Sequence, residues 1–138
     1  MDIAPVQTEN ETELDDFAAE VLRLVNLERQ QAGLPALGTT PALQAAAKVR
    51  AAEVSREFSH TRPDGSSCFT VLREQNIPYV ACGENIARGS QSPEAVVYGW
   101  MHSAGHRANI LNEHFTSVGI ACYADAAGTL SWAQMFIA

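Results

Sequence analysis

The spacing of the apolar residues changes along this chain, and the change restricts the fold that the chain can adopt. In the first part, Leu14, Phe17, Val21 and Val25 recur every three or four residues, which is typical of a helix that buries one face. In the last part, the stretch 118–123 alternates with a period of two, which is typical of a strand. Helices followed by adjacent strands predict an α+β fold, with helices packed on a small antiparallel sheet.

Local signals indicate where the first helix begins. Thr12 and Asp15 resemble a capping box, which starts a helix by satisfying its first backbone N–H groups. The acidic residues 1–11 lack apolar periodicity, so we predict that they form a tail or the end of a linker. Residues 12–138 then form a single domain, long enough to bury a core.

Capping and turn residues divide the rest of the chain. Thr40-Pro41 and Ser92-Pro93 each place a proline after an N-cap residue, and so predict two further helix starts. Gly105 is predicted to interrupt the later of these helices. We expect 79–87 to be extended and buried, and 125–128 to connect two strands as a hairpin.

The charge balance argues against some classes of partner. The formal net charge is -7 at pH 7, whereas a nucleic-acid-binding domain carries a clustered basic face. The same charge gives no attraction to an anionic membrane surface. No apolar run reaches the roughly 20 residues of a transmembrane helix. We therefore expect no nucleic-acid partner and no transmembrane segment.

The chain has three cysteines, at Cys68, Cys82 and Cys122. No two of them form a CxxC pair, which argues against a zinc knuckle. Cys68 and Cys82 flank a short connection and are the pair we expect to form a disulfide. Such a bridge would close a loop of about 15 residues and stabilise the fold by about 3 kcal/mol. It would also indicate an oxidising compartment, and the alternative is three buried free thiols in a cytosolic protein.

Two histidines, His102 and His106, are separated by the i, i+4 spacing of a zinc site on a helix. Ser103 stands where the HExxH motif has its catalytic glutamate, so a metalloprotease motif is absent. The serine-hydrolase motif GxSxG is absent as well, because Met101 takes the place of its first glycine. His102 lies at a predicted helix end, which favours a capping or surface role.

The remaining candidates are His60, in a loop, and Glu84, in the stretch CGENIA. A loop histidine without a core role is a candidate site residue. Glu84 stands beside an apolar segment, where an isolated charge is costly, so its carboxylate is expected to be paired, bound to a metal or protonated. The alternative is a structural glutamate that accepts backbone hydrogen bonds.

Six stretches together resemble the CAP superfamily of cysteine-rich secretory proteins, antigen 5 and plant pathogenesis-related protein 1, in particular its bacterial secreted branch. They occur in the order that the family shows and cover nearly the whole chain from about Leu14. The stretches are VNLERQQAGLPAL, FSHTRPDG, CGENIARG, WMHSAGHRANILN, FTSVGIACY and SWAQMF. The resemblance implies a three-layer α-β-α sandwich and an extracellular or cell-surface location, reached with a signal peptide that this chain does not carry.

Family members have a cleft in which two histidines and two acidic residues can hold a divalent metal, often zinc. By position, these histidines match His60 and His106, and the glutamate of the GEN motif matches Glu84. The second family glutamate lies three residues after the helix tryptophan, where this chain has Ser103. The resemblance therefore implies a metal held by His60 and His106. Glu84 is then either a direct ligand or the acceptor of a hydrogen bond from a ligating histidine.

The resemblance leaves three functions to weigh. The favoured one is a secreted binding module whose cleft holds a divalent metal and a lipid, sterol or peptide. The alternatives are a metal-dependent peptidase, with Glu84 as the candidate catalytic base, and a non-catalytic module of a larger cell-surface protein. Because a catalytic zinc needs three protein ligands and an open position, Ser103 in place of a carboxylate argues against an enzyme.

Overall fold

A computed structural model describes the backbone of residues 4–138 and the side chains of residues 10–138. Helices occupy most of the first two thirds of this part of the chain, and two strands close it. The elements are α1 (Ala4–Gln31), α2 (Pro41–Arg56), α3 (Thr70–Glu74), β1 (Cys82–Arg88), α4 (Pro93–Met101), α5 (Ala104–Ile110), β2 (Ser117–Ala124) and β3 (Leu130–Ile137).

The three strands form one antiparallel sheet in the order β1-β3-β2. The last strand lies at the centre, where Met135 is opposite Glu84 on one side and Gly119 on the other. The predicted hairpin at 125–128 joins β2 to β3, and Gly128 turns it with a positive φ of 81° that suits glycine. The extended stretch predicted at 79–87 is β1, and its outer edge pairs with no other strand of the described chain.

Helices cover both faces of the sheet, which confirms the predicted α+β class and the three layers. On one face, a hydrophobic cluster includes Val21 and Val25 of α1 and Trp100 of α4. On the other face, α2 packs through small residues such as Ala47 and Ala51. The helix comes so close that a Cβ added to Gly119 would clash with the carbonyl oxygen of Leu43.

The predicted N-caps of α2 and α4 are confirmed. The Thr40 hydroxyl accepts a hydrogen bond from the Leu43 N–H over 3.2 Å. The Ser92 hydroxyl accepts one from the Ala95 N–H over 3.1 Å. Each bond satisfies one of the N–H groups that a helix start leaves unpaired.

Two predicted helix boundaries are wrong. The first helix begins at Ala4, not at Thr12, so the stretch 4–11 is helical; residues 1–3 lie outside the described part, and the assignment of 1–11 to a tail or linker end stays a prediction. A proline is tolerated in the first turn, and no glycine interrupts this stretch. The break between α4 and α5 falls at His102 and Ser103, not at Gly105, because Ser103 adopts the extended conformation of an N-cap.

No helix in the described part of the chain combines the length and the apolar character needed to cross a membrane.

Candidate functional site

An open cleft of about 330 Å³ lies where the loop after α2, strand β1 and the start of α5 meet. All four cleft residues implied by the sequence resemblance line it, although they come from three separate parts of the chain. The lining consists of His60, Glu84, Asn85, Ser103, Gly105, His106 and Asn109.

The imidazole of His60 is oriented by Glu84. Its Nδ1 lies 2.7 Å from Glu84 Oε1, and the glutamate side chain is only 1% exposed while that of His60 is 61% exposed. A carboxylate that accepts from one ring nitrogen fixes the ring and leaves the other nitrogen free. His60 Nε2 is therefore the nitrogen available to a ligand in the cleft.

Glu84 is itself held by Arg50, a residue that the sequence analysis did not single out. Arg50 Nε donates to Glu84 Oε2 over 2.7 Å, and Arg50 Nη2 donates to Oε1 over 3.2 Å. The pair lies inside the protein, where a charge needs a partner. One sequence feature could have identified Arg50: it is an arginine on the small-residue face of α2, where an unpaired cation would be too costly to bury.

The ion pair continues away from the cleft as a network. Arg50 Nη1 donates to Glu53 over 2.7 Å, and Arg62 donates to Glu53 and also to Glu74. Burial alone would raise the pKa of Glu53, but hydrogen bonds from Arg62 and Arg50 outweigh it and leave that pKa below its ordinary value. The network fixes α2, the loop after it and α3 behind the cleft.

The second cleft histidine is oriented in a similar way. His106 Nδ1 lies 2.8 Å from the hydroxyl oxygen of Ser103, which leaves His106 Nε2 available. Burial, and secondarily the proximity of His60, lowers the pKa of His106 and favours the neutral ring. Ser103 is the N-cap residue of α5 but makes no side-chain cap, because its hydroxyl serves the histidine instead.

Amide side chains fix α5 against β1 beneath the cleft. Asn109 Nδ2 donates to the Glu84 carbonyl over 3.2 Å and to Asn85 Oδ1 over 2.9 Å. Asn85 Nδ2 in turn donates to the His106 carbonyl over 3.1 Å and to Gln134 Oε1 over 3.0 Å. These bonds connect the segment that carries His106 to the strand that carries Glu84.

The cleft continues into an apolar groove of about 260 Å³ that shares Ser103 and His106 with it. Trp100 and Ile86 line the groove, and the Trp100 indole N–H donates to the Ile86 carbonyl over 3.2 Å at the free edge of β1. Phe58 lies at its rim with 57% of its surface exposed. The site thus joins a polar half to an apolar half.

His102, the other histidine of the i, i+4 pair, lies outside the cleft. His102 is exposed at the end of α4, with Nδ1 2.8 Å from the Tyr98 carbonyl oxygen and its ring stacked on that of Tyr98. The prediction that it belongs to the helix end is confirmed.

The predicted disulfide is not formed, because Cys68 and Cys82 are free thiols. Cys68 lies beside the Glu84 carboxylate, and burial followed by that carboxylate raises its pKa to about 12. The two thiols have different partners: Cys68 hydrogen-bonds to Glu84, whereas Cys82, at the start of β1, hydrogen-bonds to Tyr79.

A family model for the CAP, or cysteine-rich secretory protein, family matches residues 22–136. The uncharacterized protein YkwD of Bacillus subtilis is 38% identical over 123 residues, which are 88% of this chain and 47% of that protein. This chain therefore spans less than half the length of that relative.

Solved structures show the same architecture. An extracellular protein with an SCP domain from Bacillus anthracis superposes with a TM-score of 0.82 at 28% identity, over 89% of this chain and 40% of the other. An outer surface protein of Borrelia burgdorferi superposes with a TM-score of 0.74 at 16% identity, over 99% of this chain and 95% of the other. At that lower identity the likeness concerns the fold.

Proposed function

Since this chain belongs to the CAP, or cysteine-rich secretory protein, family, we propose that it is an extracytoplasmic binding module whose cleft holds a divalent metal ion between His60 and His106. The observation that carries the proposal is the matched orientation of the two rings. Glu84 and Ser103 each engage an Nδ1, which leaves both Nε2 atoms free in one cleft. Two neutral imidazoles suit zinc, with water or a ligand oxygen completing its coordination.

The state of Glu84 favours binding over hydrolysis. A metal-dependent peptidase needs a carboxylate that can take a proton from a bound water. Glu84 is almost fully buried, and Arg50 and His60 occupy both of its oxygens, so it serves to position His60. We therefore place the peptidase alternative second, together with a purely structural role in a larger cell-surface protein.

The apolar groove supports a ligand that has an apolar part. A lipid, a sterol or an apolar peptide side chain can lie against Phe58, the exposed apolar side chain of the groove, while a polar group reaches the histidines. Gly99 lines the groove, and a Cβ there would meet open space, so the groove owes part of its width to this glycine.

The location outside the cytoplasm rests on the relatives. The matching protein of Bacillus anthracis, at 28% identity, is described as extracellular. The free thiols of Cys68 and Cys82 add no support for an oxidising compartment.

Calorimetric titration of the metal-free protein with zinc tests the metal site. We expect His60→Ala and His106→Ala to lose zinc affinity, because each removes a ligand. His102→Ala is the matched control, since this exposed histidine lies four residues from His106 and outside the cleft. Wild-type protein that binds no zinc, or an H106A variant that binds as well as wild type, would overturn the proposal.

Titration with a fluorescent fatty acid tests whether the groove binds an apolar ligand. Gly99→Leu should weaken its binding by filling the groove. Ala108→Leu introduces the same side chain at an exposed position of α5 outside the cleft and should leave binding unchanged. Equal binding by the wild type and G99L would remove the groove from the proposed function.

A further inference from the structure

We propose that Cys68 is an additional metal ligand of this protein, and that it forms, with His60 and Glu84, a thiolate-containing position beneath the cleft histidines. One donor atom from each of the three residues lies within 4.8 Å of the other two. Nitrogen, sulfur and oxygen donors in that combination select a thiophilic ion such as zinc or cobalt. This inference rests on the proposed metal-binding function and gives the ion an alternative position, in which His60 binds through Nδ1 instead of Nε2.

The loop between α2 and α3 positions two of the three donors. It folds back on itself, so that the Cys68 N–H donates to the His60 carbonyl over 3.0 Å and the Arg62 N–H donates to the Ser66 carbonyl over 2.8 Å. Gly65 makes the turn between them with a φ of 88°. The backbone therefore holds His60 and Cys68 side by side before any ion arrives.

The third donor, Glu84, would accept an ion in place of the hydrogen bonds that it now receives from His60 and Cys68. An ionised carboxylate offers about four lone-pair positions. Arg50 takes one position on each oxygen of Glu84, and His60 Nδ1 takes a further one. An ion bound by these three residues would replace the thiol proton of Cys68, which would pass to solvent. It would take His60 through Nδ1, whose proton would move to Nε2, so the ring would then no longer offer Nε2 to an ion shared with His106.

The charge of the surrounding network favours a cation. Two guanidinium groups, of Arg50 and Arg62, face three carboxylates, of Glu53, Glu74 and Glu84, which leaves one net negative charge. A divalent ion together with the thiolate of Cys68 adds one positive charge. The cluster then becomes neutral, which is the favourable state for groups removed from water.

Cobalt in place of zinc gives a direct reading of thiolate coordination, because sulfur-to-cobalt charge transfer adds a near-ultraviolet band that nitrogen and oxygen ligands do not produce. We expect the band in the wild type and its loss in Cys68→Ser and Cys68→Ala. Zinc affinity should fall by more than about tenfold in both, since even a residue that only orients a ligand is worth that much. Cys122→Ser is the matched control, because this half-buried thiol lies on β2 outside the cleft.

The outcomes separate this inference from the two-histidine proposal. If cobalt binds without the band and binding is lost in His106→Ala, Cys68 is not a ligand and the two-histidine site stands. If the band is present and His106→Ala binds as the wild type does, the Cys68 position stands and the two-histidine site is wrong. Circular dichroism of each variant confirms that it is folded, and a protein that binds no cobalt overturns both.

Discussion

Arg50 Nε and Glu84 Oε2 are 2.7 Å apart, and neither side chain exceeds 1% exposure. This contact joins α2 to β1 across the interior of the protein. Because Glu84 also orients His60, the buried ion pair connects the packing of the fold to the geometry of the cleft.

Loss of Arg50 should destabilise the protein strongly. Arg50→Met leaves the Glu84 carboxylate buried without its cation, and the removal of one partner of a buried pair typically costs about 3–5 kcal/mol. The free energy of unfolding from urea titrations measures the loss. Arg23→Met breaks an exposed pair with Glu20 and should change that free energy by less than about 1 kcal/mol. Similar effects of the two substitutions would contradict the structural role of Arg50.

Acid should weaken the network through Glu53. Its pKa is below the ordinary 4.5 in the folded protein, so near that pH the unfolded chain binds more protons. The stability that the ionised carboxylate contributes is therefore present above pH 4.5 and lost as the pH falls toward the lowered pKa. Unfolding free energies across this pH range should fall less steeply in Glu53→Gln than in wild type. Parallel curves would show that Glu53 is not responsible.

Ser103→Ala should separate metal binding from stability. The serine hydroxyl orients His106 but does not cap α5, so its loss should leave the free energy of unfolding almost unchanged. Zinc affinity should fall by about 10–100-fold, as is usual when the partner of a metal ligand is removed. Calorimetric titration and thermal unfolding of the same sample measure both quantities. Unchanged zinc affinity would mean that Ser103 does not support the site.

Thiol titration should find all cysteines reduced. In denaturant, three thiols per chain should react with Ellman's reagent, whereas a bridge between Cys68 and Cys82 would leave one. In the native protein, Cys68 should react slowly, because it is buried and its pKa of about 12 keeps it protonated. Rapid native labelling of Cys68 would contradict its position in the structure.

Local signals were sufficient for most of the fold. The N-caps at Thr40 and Ser92 and the hairpin at 125–128 each depend on a few neighbouring residues. The helix break predicted at Gly105 failed because a neighbouring residue decided the outcome. Gly105 remains inside α5 because Ser103, two residues earlier, already starts a new helix.

The candidate site was only partly accessible from the sequence. His60, Glu84 and His106 were identified through motifs that resemble the family, and the structure places all three in one cleft. Arg50 was missed, because its partner Glu84 is 34 residues away and no local pattern links the two. The disulfide was predicted wrongly, since spacing along the chain does not show that the thiol of Cys68 lies beside Glu84.

The sequence by itself determined the α+β class and the N-caps of two helices, because periodicity and capping depend on residues close together in the chain. Only the tertiary structure decided which nitrogen of His60 is free. That choice depends on a partner that the fold brings to the ring, the Glu84 carboxylate on β1, whereas the partner of His106, the Ser103 hydroxyl, lies only three residues away along the chain. Long-range contacts of this kind set the chemistry of the cleft, since side-chain hydrogen bonds act over about 3 Å in space whatever the separation along the chain.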